Sequence, residues 1–245
     1  MKSPNLQPAF KDLILRALDL RYQSHSCKDS IPTDNHYQSV TLGTETTPGF
    51  RSAREDVLSQ VIFTNRKVLD LGSNLGELSR AARARGACLV DGFEYEPYFV
   101  QLANAINAYN DVTRVSFFQK DITSPAIYTE RYDIVLAFSV YVYIQPILAY
   151  ISGITNDLLI LETHRLEDNL QSYYIEPILT FFPHYRVLGT SEWGTPSPDG
   201  GERAILAFAR SQATLDHCLI AGEPQSAEEV LAVSIVEQKT SVGSA

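Results

Sequence analysis

The segment 68–78 (VLDLGSNLGEL) combines three features that favour the binding of a small charged ligand. An acid, Asp70, ends an apolar run, two glycines follow it four residues apart, and a helix-forming sequence starts at the second glycine. Glycine lets the backbone pass close to a ligand, and the N–H groups at a helix start attract a carboxylate or a phosphate. The Asp70 carboxylate can pair with an ammonium group. We therefore expect a ligand that carries both an amine and a carboxylate.

The spacing of the glycines separates two classes of cofactor loop. A nicotinamide-binding loop needs G-x-G-x-x-G, whereas this loop reads D-x-G-x-x-x-G and has Asn74 at the middle position. The amino-acid tail of S-adenosylmethionine (SAM) has the amine and the carboxylate that the loop favours. The predicted SAM contacts from this loop are Asp70, Gly72, Ser73, Asn74 and Gly76.

Two more acids follow the next two apolar segments. Glu94 ends CLVDGFE, close to the offset of roughly 20 residues at which an acid binds ribose hydroxyls, and Tyr95 can pack on the adenine. Asp121 can accept a hydrogen bond from the adenine amine, with the Ile122 backbone at the ring edge. Helix capping explains Asp121 equally well when it is taken alone. Because open α/β sheets bind ligands at the carboxyl ends of their strands, we expect these side chains to converge on one crevice.

An alternation of strands and helices positions these residues. Apolar segments at 67–71, 88–94, 115–119, 132–138 and 158–162 predict strands, and helical patterns follow at 76–86 and 97–110. The alternation predicts a doubly wound, mostly parallel sheet of the Rossmann-like α/β class. Segments 186–193 and 202–210 flank TPSPDGG and predict an antiparallel hairpin, which completes seven strands. Phe138 ends the fourth strand and is predicted to contact the cofactor.

The 245 residues suit one core with appendages. Residues 8–22 have helical periodicity and 24–47 are polar, so 1–53 are expected to form an N-terminal helix and an arm that serves as an acceptor-site lid. Residues 54–210 are expected to form the cofactor-binding domain. Residues 211–245 are expected to form a tail or a contact between two copies in a homodimer.

Composition and charge limit the classes of partner and the cellular compartment that we expect for this protein. The net charge of −9 disfavours nucleic acid, since nucleic-acid binders usually carry a basic stripe. No apolar run approaches the roughly 18 residues that span a bilayer, so we expect no membrane contact. Three widely separated cysteines suit a reducing compartment, and the expected location is the cytoplasm.

From about residue 54 to residue 210 the chain resembles the class I SAM-dependent methyltransferases. Within that superfamily it is most similar to the tRNA wobble-uridine carboxymethyl/methyltransferase-like branch, through TPGFRS, DLGSNLG, VYVYIQP and LILET. That branch often carries Tyr-His after the fourth strand, whereas Val142 follows Tyr141 here, so the role of that histidine does not transfer. The resemblance implies methyl transfer from SAM to a small or medium-sized acceptor, at O or N.

Three residues are candidates for the acceptor site. Tyr141 and Tyr143 follow the fourth strand, and His164 follows the fifth. His164 is a candidate general base because the pKa of an ordinary histidine lies near neutrality, although packing would explain its position too. A metal-dependent methyltransferase needs a cluster of acidic and amide ligands, and Glu162 with His164 is too small a set, so no metal is expected.

Other functional classes stay open at this stage. A SAM-binding regulatory module without catalysis has the same cofactor residues. An RNA methyltransferase is less favoured because of the acidic charge, and a nicotinamide oxidoreductase is disfavoured by the glycine spacing.

Overall fold

The computed structural model describes residues 6–24, 38–47, 49, 54–164, 170–191 and 203–220. Residues 25–37 of the predicted arm, the TPSPDGG loop and most of the predicted tail, 221–245, lie outside the described residues.

A seven-stranded sheet forms the centre of the molecule. Its strands are β3 (Lys67–Leu71), β4 (Leu89–Glu94), β5 (Val115–Gln119), β6 (Tyr132–Phe138), β7 (Thr155–Glu162), β8 (His184–Ser191) and β9 (Arg203–Ala209). Their order across the sheet is β5-β4-β3-β6-β7-β9-β8. The first five strands in this order run parallel, and β9 is antiparallel to both β7 and β8. This arrangement confirms the predicted mostly parallel sheet with a terminal antiparallel pair.

Helices cover both faces of the sheet, so the central strands are buried on both sides and consist of nearly continuous apolar residues. In β3, for example, Val68, Leu69 and Leu71 are fully buried. The α-helices of the described residues are α1 (Leu6–Ser24), α2 (Arg54–Leu58), α3 (Glu77–Ala84), α4 (Pro97–Tyr109), α5 (Tyr141–Ile144), α6 (Leu148–Ile154), α7 (Glu176–Leu179) and α8 (Gln212–Cys218). Within the described ranges, no helix has the length and apolar character needed to cross a membrane.

A small hairpin lies within the polar stretch for which we expected a loop. It pairs β1 (Val40–Leu42) with β2 (Glu45–Thr47). Val40 and Leu42 point into a third apolar cluster, which also contains residues of α1 and α4. Each strand has only three residues, which is too short a run for an alternating pattern to be recognised in the sequence.

Helix α8 falls in the segment that we expected to be a tail. Leu215 and Cys218 are buried against the sheet, and the Ser211 hydroxyl accepts a hydrogen bond from Thr214 N (3.1 Å) at the helix start. The packed part of the chain therefore extends past residue 210. Two buried side chains in a polar segment give a weak periodic signal, which explains why the sequence did not predict this helix.

Candidate functional site

A cavity of about 640 Å³ lies at the carboxyl ends of the parallel strands, where the strand order reverses between β3 and β6. This position and this volume are typical of small-molecule sites in open α/β sheets. The wall contains nine predicted site residues: Asp70, Gly72, Asn74, Glu94, Tyr95, Asp121, Ile122, Phe138 and Tyr143. It also contains seven residues that carry no site signal in the sequence: Gln38, Arg54, Leu78, Phe99, Thr123, Ser139 and Val140.

The two glycines of the loop after β3 are required by both backbone angle and space. Gly72 has φ 69° and Gly76 has φ 79°. A Cβ on Gly72 would lie 2.5 Å from Val140 Cγ1, and one on Gly76 would lie 2.1 Å from the Phe117 ring. No side chain fits at either position without a shift of its neighbours, so both glycines are needed for the loop conformation, and Gly72 also lines the cavity.

The backbone N–H groups of this loop bond to the protein itself. Ser73 N donates to Phe93 O (3.1 Å), Asn74 N donates to Glu94 Oε2 (2.8 Å), and Gly76 N donates to Ser73 O (2.8 Å). We had expected N–H groups at this turn to face a ligand. The structure differs because the loop folds back onto the end of β4, and among the described residues Ser73 and Gly76 shape the loop without forming cavity wall.

Asp70 presents a buried carboxylate to the cavity. It is 2% exposed, and its Oδ2 accepts a hydrogen bond from the Ser79 hydroxyl (2.6 Å). Burial raises the pKa of Asp70 to about 7, and the hydrogen bond from Ser79 and the positive charge of Arg54 act in the opposite direction. This carboxyl group therefore favours a cationic partner in the cavity.

Both oxygens of Glu94 are held by backbone N–H groups. Oε2 accepts from Asn74 N (2.8 Å) and Oε1 accepts from Glu96 N (3.0 Å). Burial raises the pKa of Glu94, and these N–H groups partly offset the rise. Because a carboxylate oxygen has two lone pairs, the fixed Glu94 can still accept hydrogen bonds from ligand hydroxyls.

The other end of the cavity is more open. The Tyr95 ring is 64% exposed and lies along the cavity wall, as expected for a stacking surface. Asp121 accepts hydrogen bonds at Oδ1 from Thr123 N (2.9 Å) and from the Thr123 hydroxyl (2.7 Å), which lower its pKa. These contacts form a local turn and not the helix cap that was the alternative for Asp121, since the next helix begins at Pro125 with Ser124 as its N-cap; Asp121 also lies in the cavity wall.

A buried ion-pair network borders the cavity and was missed in the sequence. Arg54 Nε donates to Glu162 Oε1 (2.8 Å) and Arg54 Nη2 donates to Glu162 Oε2 (2.5 Å). Arg54 and Arg203 both donate to the Ser139 hydroxyl, at 2.7 and 2.8 Å. Ser139 has φ 60°, an uncommon angle for a residue other than glycine and one that clusters at functional sites. The signal available in the sequence was Glu162, an acid at the end of an apolar strand, since a fully buried carboxylate needs a cation.

The three acceptor-site candidates occupy different surroundings. Tyr143 is 55% exposed and lines the cavity. Tyr141 is fully buried, and its hydroxyl donates to Tyr173 O (2.7 Å), so it belongs to the core. His164 is half-buried outside the cavity wall, and its backbone N donates to the Tyr174 hydroxyl (2.9 Å). Of the three, Tyr143 is the residue that the fold places at the site.

Acidic, histidine and cysteine side chains do not cluster as metal ligands anywhere in the described part of the chain.

Comparisons with known proteins agree with this geometry. Residues 68–155 match the family model described as "Methyltransferase domain". A search of curated protein sequences found no match.

Two solved structures illustrate the fold. The bifunctional kinase-methyltransferase WbdD is similar over 76% of this chain, at 18% identity with a TM-score of 0.57. The chain spans 45% of the WbdD length, less than half. A putative RNA methyltransferase from Pyrococcus horikoshii is similar over 79% of this chain and 96% of its own, at 18% identity with a TM-score of 0.53.

The family match covers the glycine loop and strands β3 to β6, the segment that builds most of the cavity wall. The sheet order and the terminal antiparallel pair agree with the fold of the similar structures. Residues 68–155 therefore match a methyltransferase-domain model, and the chain has the mixed α/β fold of the similar methyltransferase structures.

Proposed function

We propose that this enzyme binds SAM in the cavity above β3 and β4 and transfers its methyl group to a small or medium-sized acceptor, at O or N. One observation carries the proposal: Asp70, Glu94 and Asp121, which lie at the carboxyl ends of three adjacent strands, line a single cavity of about 640 Å³. Their chemistry matches the amine, the ribose hydroxyls and the adenine amine of SAM in that order.

The residues present fit this cofactor. Asp70 would accept hydrogen bonds from the ammonium group, because its burial is unfavourable for a carboxylate without a cation. Glu94, which backbone N–H groups hold in place, would accept from the ribose hydroxyls. Tyr95 and Ile122 would contact the adenine ring, with Asp121 at its amine. When bound, SAM supplies the methyl group and the positively charged sulfur that activates it.

The acceptor would enter beside the end of β6, where Ser139, Val140 and Tyr143 form the wall. Methyl transfer is an in-line displacement, so the main task of these side chains is to orient the acceptor. The exposed Tyr143 forms one side of this entrance. Proton removal by His164 would need an acceptor that extends beyond the cavity wall, and this role stays a prediction.

A tRNA acceptor is the second candidate. It is supported by the resemblance of TPGFRS and VYVYIQP to the wobble-uridine branch and by the fold shared with a putative RNA methyltransferase. The net charge of −9 favours the small acceptor, because an acidic protein repels a phosphate backbone at long range. Incubation with labelled SAM and either a metabolite extract or total tRNA distinguishes the two classes by which fraction gains label.

Addition of SAM or S-adenosylhomocysteine should raise the melting temperature of the protein. A ligand that binds only the native state stabilises it by about 2.7 kcal/mol at a concentration of 100 Kd. Differential scanning fluorimetry measures the shift, with NAD as the control ligand. A shift with NAD and none with either SAM species would contradict the proposal.

Replacement of Glu94 with alanine should weaken S-adenosylhomocysteine binding roughly ten- to a hundredfold, because the ribose hydroxyls lose an ionised partner. Isothermal titration calorimetry measures the change. The probe 5′-methylthioadenosine, which has the ribose but lacks the amino-acid end, should lose affinity by the same factor.

Glu130→Ala is the matched control, since it removes an exposed carboxylate that pairs with Lys67 outside the cavity. Unchanged affinity in Glu94→Ala would move the ribose contact to another residue.

A further inference from the structure

The residues Gln38 and Ser39 lie against the glycine loop, although they precede it by more than thirty positions in the sequence. Gln38 Oε1 accepts a hydrogen bond from Glu77 N (3.3 Å). Gln38 Nε2 donates a long hydrogen bond to Ser73 O (3.5 Å). Gln38 is only 3% exposed, and it lines the cavity. Its carboxamide therefore lies at the loop end of the cavity and not at the end formed by Tyr95 and Asp121.

A buried carboxylate holds this stretch in place. The backbone N of Ser39 donates to Glu77 Oε1 (3.3 Å), and the Ser39 hydroxyl donates to the same oxygen. Glu77 is 7% exposed, and burial raises its pKa. Two donors from one residue on a single buried oxygen fix the backbone at Ser39, and they limit the movement of the adjacent Gln38 side chain.

The glycine of the TPGF motif has a structural role in the same contact. A Cβ on Gly49 would lie 2.2 Å from Ser39 N and 2.5 Å from the carbonyl carbon of Gln38. Both distances are far below van der Waals contact with rigid backbone atoms, so any side chain at position 49 would displace Gln38 and Ser39. This close approach explains why the motif places a glycine here.

The β1–β2 hairpin, which follows Ser39 in the chain, is fixed to the end of α4 and to the glycine loop. Asn110, directly after α4, accepts from Gly43 N (2.8 Å) and donates to Thr41 O (2.7 Å). Val40 and Leu42 share an apolar cluster with Leu75 of the glycine loop. The position of Gln38 is thus fixed by the contacts of Ser39 with Glu77 and by the packing of the hairpin that follows it.

Several backbone N–H groups of the glycine loop are already hydrogen-bonded and cannot donate to a ligand carboxylate. N–H groups of the loop that we expected to receive a ligand carboxylate bond to Phe93 O, Glu94 and Ser73 O instead. These three N–H groups are therefore not available to a ligand carboxylate, and a side-chain donor can take their place. A carboxamide has two N–H donors at its nitrogen, so the long contact with Ser73 O leaves Gln38 with a second N–H to donate.

We propose that Gln38 is a cofactor-binding residue that donates a hydrogen bond to the carboxylate of SAM, and that Ser39, Glu77 and Gly49 position it. The proposal rests on the proposed function, because it assigns one end of the same cofactor. It makes the N-terminal segment part of the cofactor site, in addition to any role as an acceptor-site lid.

The test compares two ligands that differ only at the amino-acid end. Gln38→Ala should weaken S-adenosylhomocysteine binding roughly tenfold, as expected for one hydrogen bond to a charged group, and should leave 5′-methylthioadenosine binding unchanged. Gly49→Ala should act in the same direction because it displaces Gln38. The matched control is Thr46→Ala, which removes a hydroxyl from an exposed pair with Thr41 on the same hairpin and should alter neither affinity. Calorimetric titration of the full chain gives both dissociation constants.

Two results would overturn the proposal: unchanged S-adenosylhomocysteine affinity in Gln38→Ala, or an equal loss for both ligands, which indicates a structural role. If Gly49→Ala does not fold, Gln38→Ala decides alone. Failure of the wild-type protein to bind either ligand would instead contradict the proposed function, so the two failures are distinguishable.

Discussion

Replacement of Arg54 with leucine should lower the free energy of unfolding by about 3–5 kcal/mol, because it removes the bidentate partner of a fully buried carboxylate. Arg54 is 2% exposed, Glu162 is 0% exposed, and the two are joined by hydrogen bonds of 2.8 and 2.5 Å. Glu162 would keep Arg203 at 3.9 Å and a hydrogen bond from the Ser191 hydroxyl, so we expect a loss toward the lower end of this range. Urea unfolding followed by circular dichroism measures the change.

Two further variants separate this cause from a general effect of losing an arginine. Addition of Glu162→Gln to Arg54→Leu should recover part of the lost stability, because a neutral amide needs no counter-charge. Arg186→Leu is the control: it breaks an ion pair of 2.8 Å with Asp216, whose side chain is 57% exposed, and should change stability by less than about 1 kcal/mol. An Arg54→Leu protein no less stable than the Arg186→Leu protein would refute the proposed importance of the buried pair.

Replacement of Asp70 with asparagine should have two opposite effects. S-adenosylhomocysteine affinity should fall more than a hundredfold, since the ammonium group loses a buried ionic partner, an effect of about 3 kcal/mol or more. The ligand-free protein should become more stable above pH 7, because the unfavourable burial of a carboxylate is removed while the amide oxygen can still accept from Ser79. Titration calorimetry and thermal melts measure the two effects.

The pH dependence follows from the sign of the shift. Burial raises the pKa of Asp70 from 3.8 to about 7, so the folded state retains a proton that the unfolded state has already released between these values. The contribution of Asp70 to stability therefore falls as pH rises from about 4 to 7 and is constant above that range. At about 1.4 kcal/mol for each pKa unit, the total is at most about 4 kcal/mol. Asp70→Asn should flatten this dependence.

A control for Asp70→Asn exists on the neighbouring strand. Asp91 also has a pKa raised by burial, and it accepts a hydrogen bond from the Tyr132 hydroxyl (2.9 Å), but it lies outside the cavity wall. Asp91→Asn should leave cofactor affinity unchanged. Equal affinities of the wild-type and Asp70→Asn proteins for S-adenosylhomocysteine would remove Asp70 from the cofactor site.

The sequence by itself determined the central sheet and the loop that carries the cofactor residues. Strands 67–71, 115–119 and 132–138 have the predicted bounds, because short segments rich in apolar, β-branched and aromatic residues are local signals. The positions of Glu94 and Asp121 at the cavity follow from the same logic, since parallel strands bring their carboxyl ends to one edge. Local pattern and fold class were sufficient for these residues.

Only the tertiary structure decided which distant side chains meet at the site. Arg54 and Glu162 are 108 positions apart, and Gln38 reaches the glycine loop from a segment that has no recognisable pattern of its own. Tyr141 and Tyr143 stand two residues apart in one motif, yet one is in the core and the other lines the cavity. The physical reason is that burial and ion pairing depend on which elements pack against each other. A periodic pattern tells which face of an element is apolar, but it does not tell which partner covers that face.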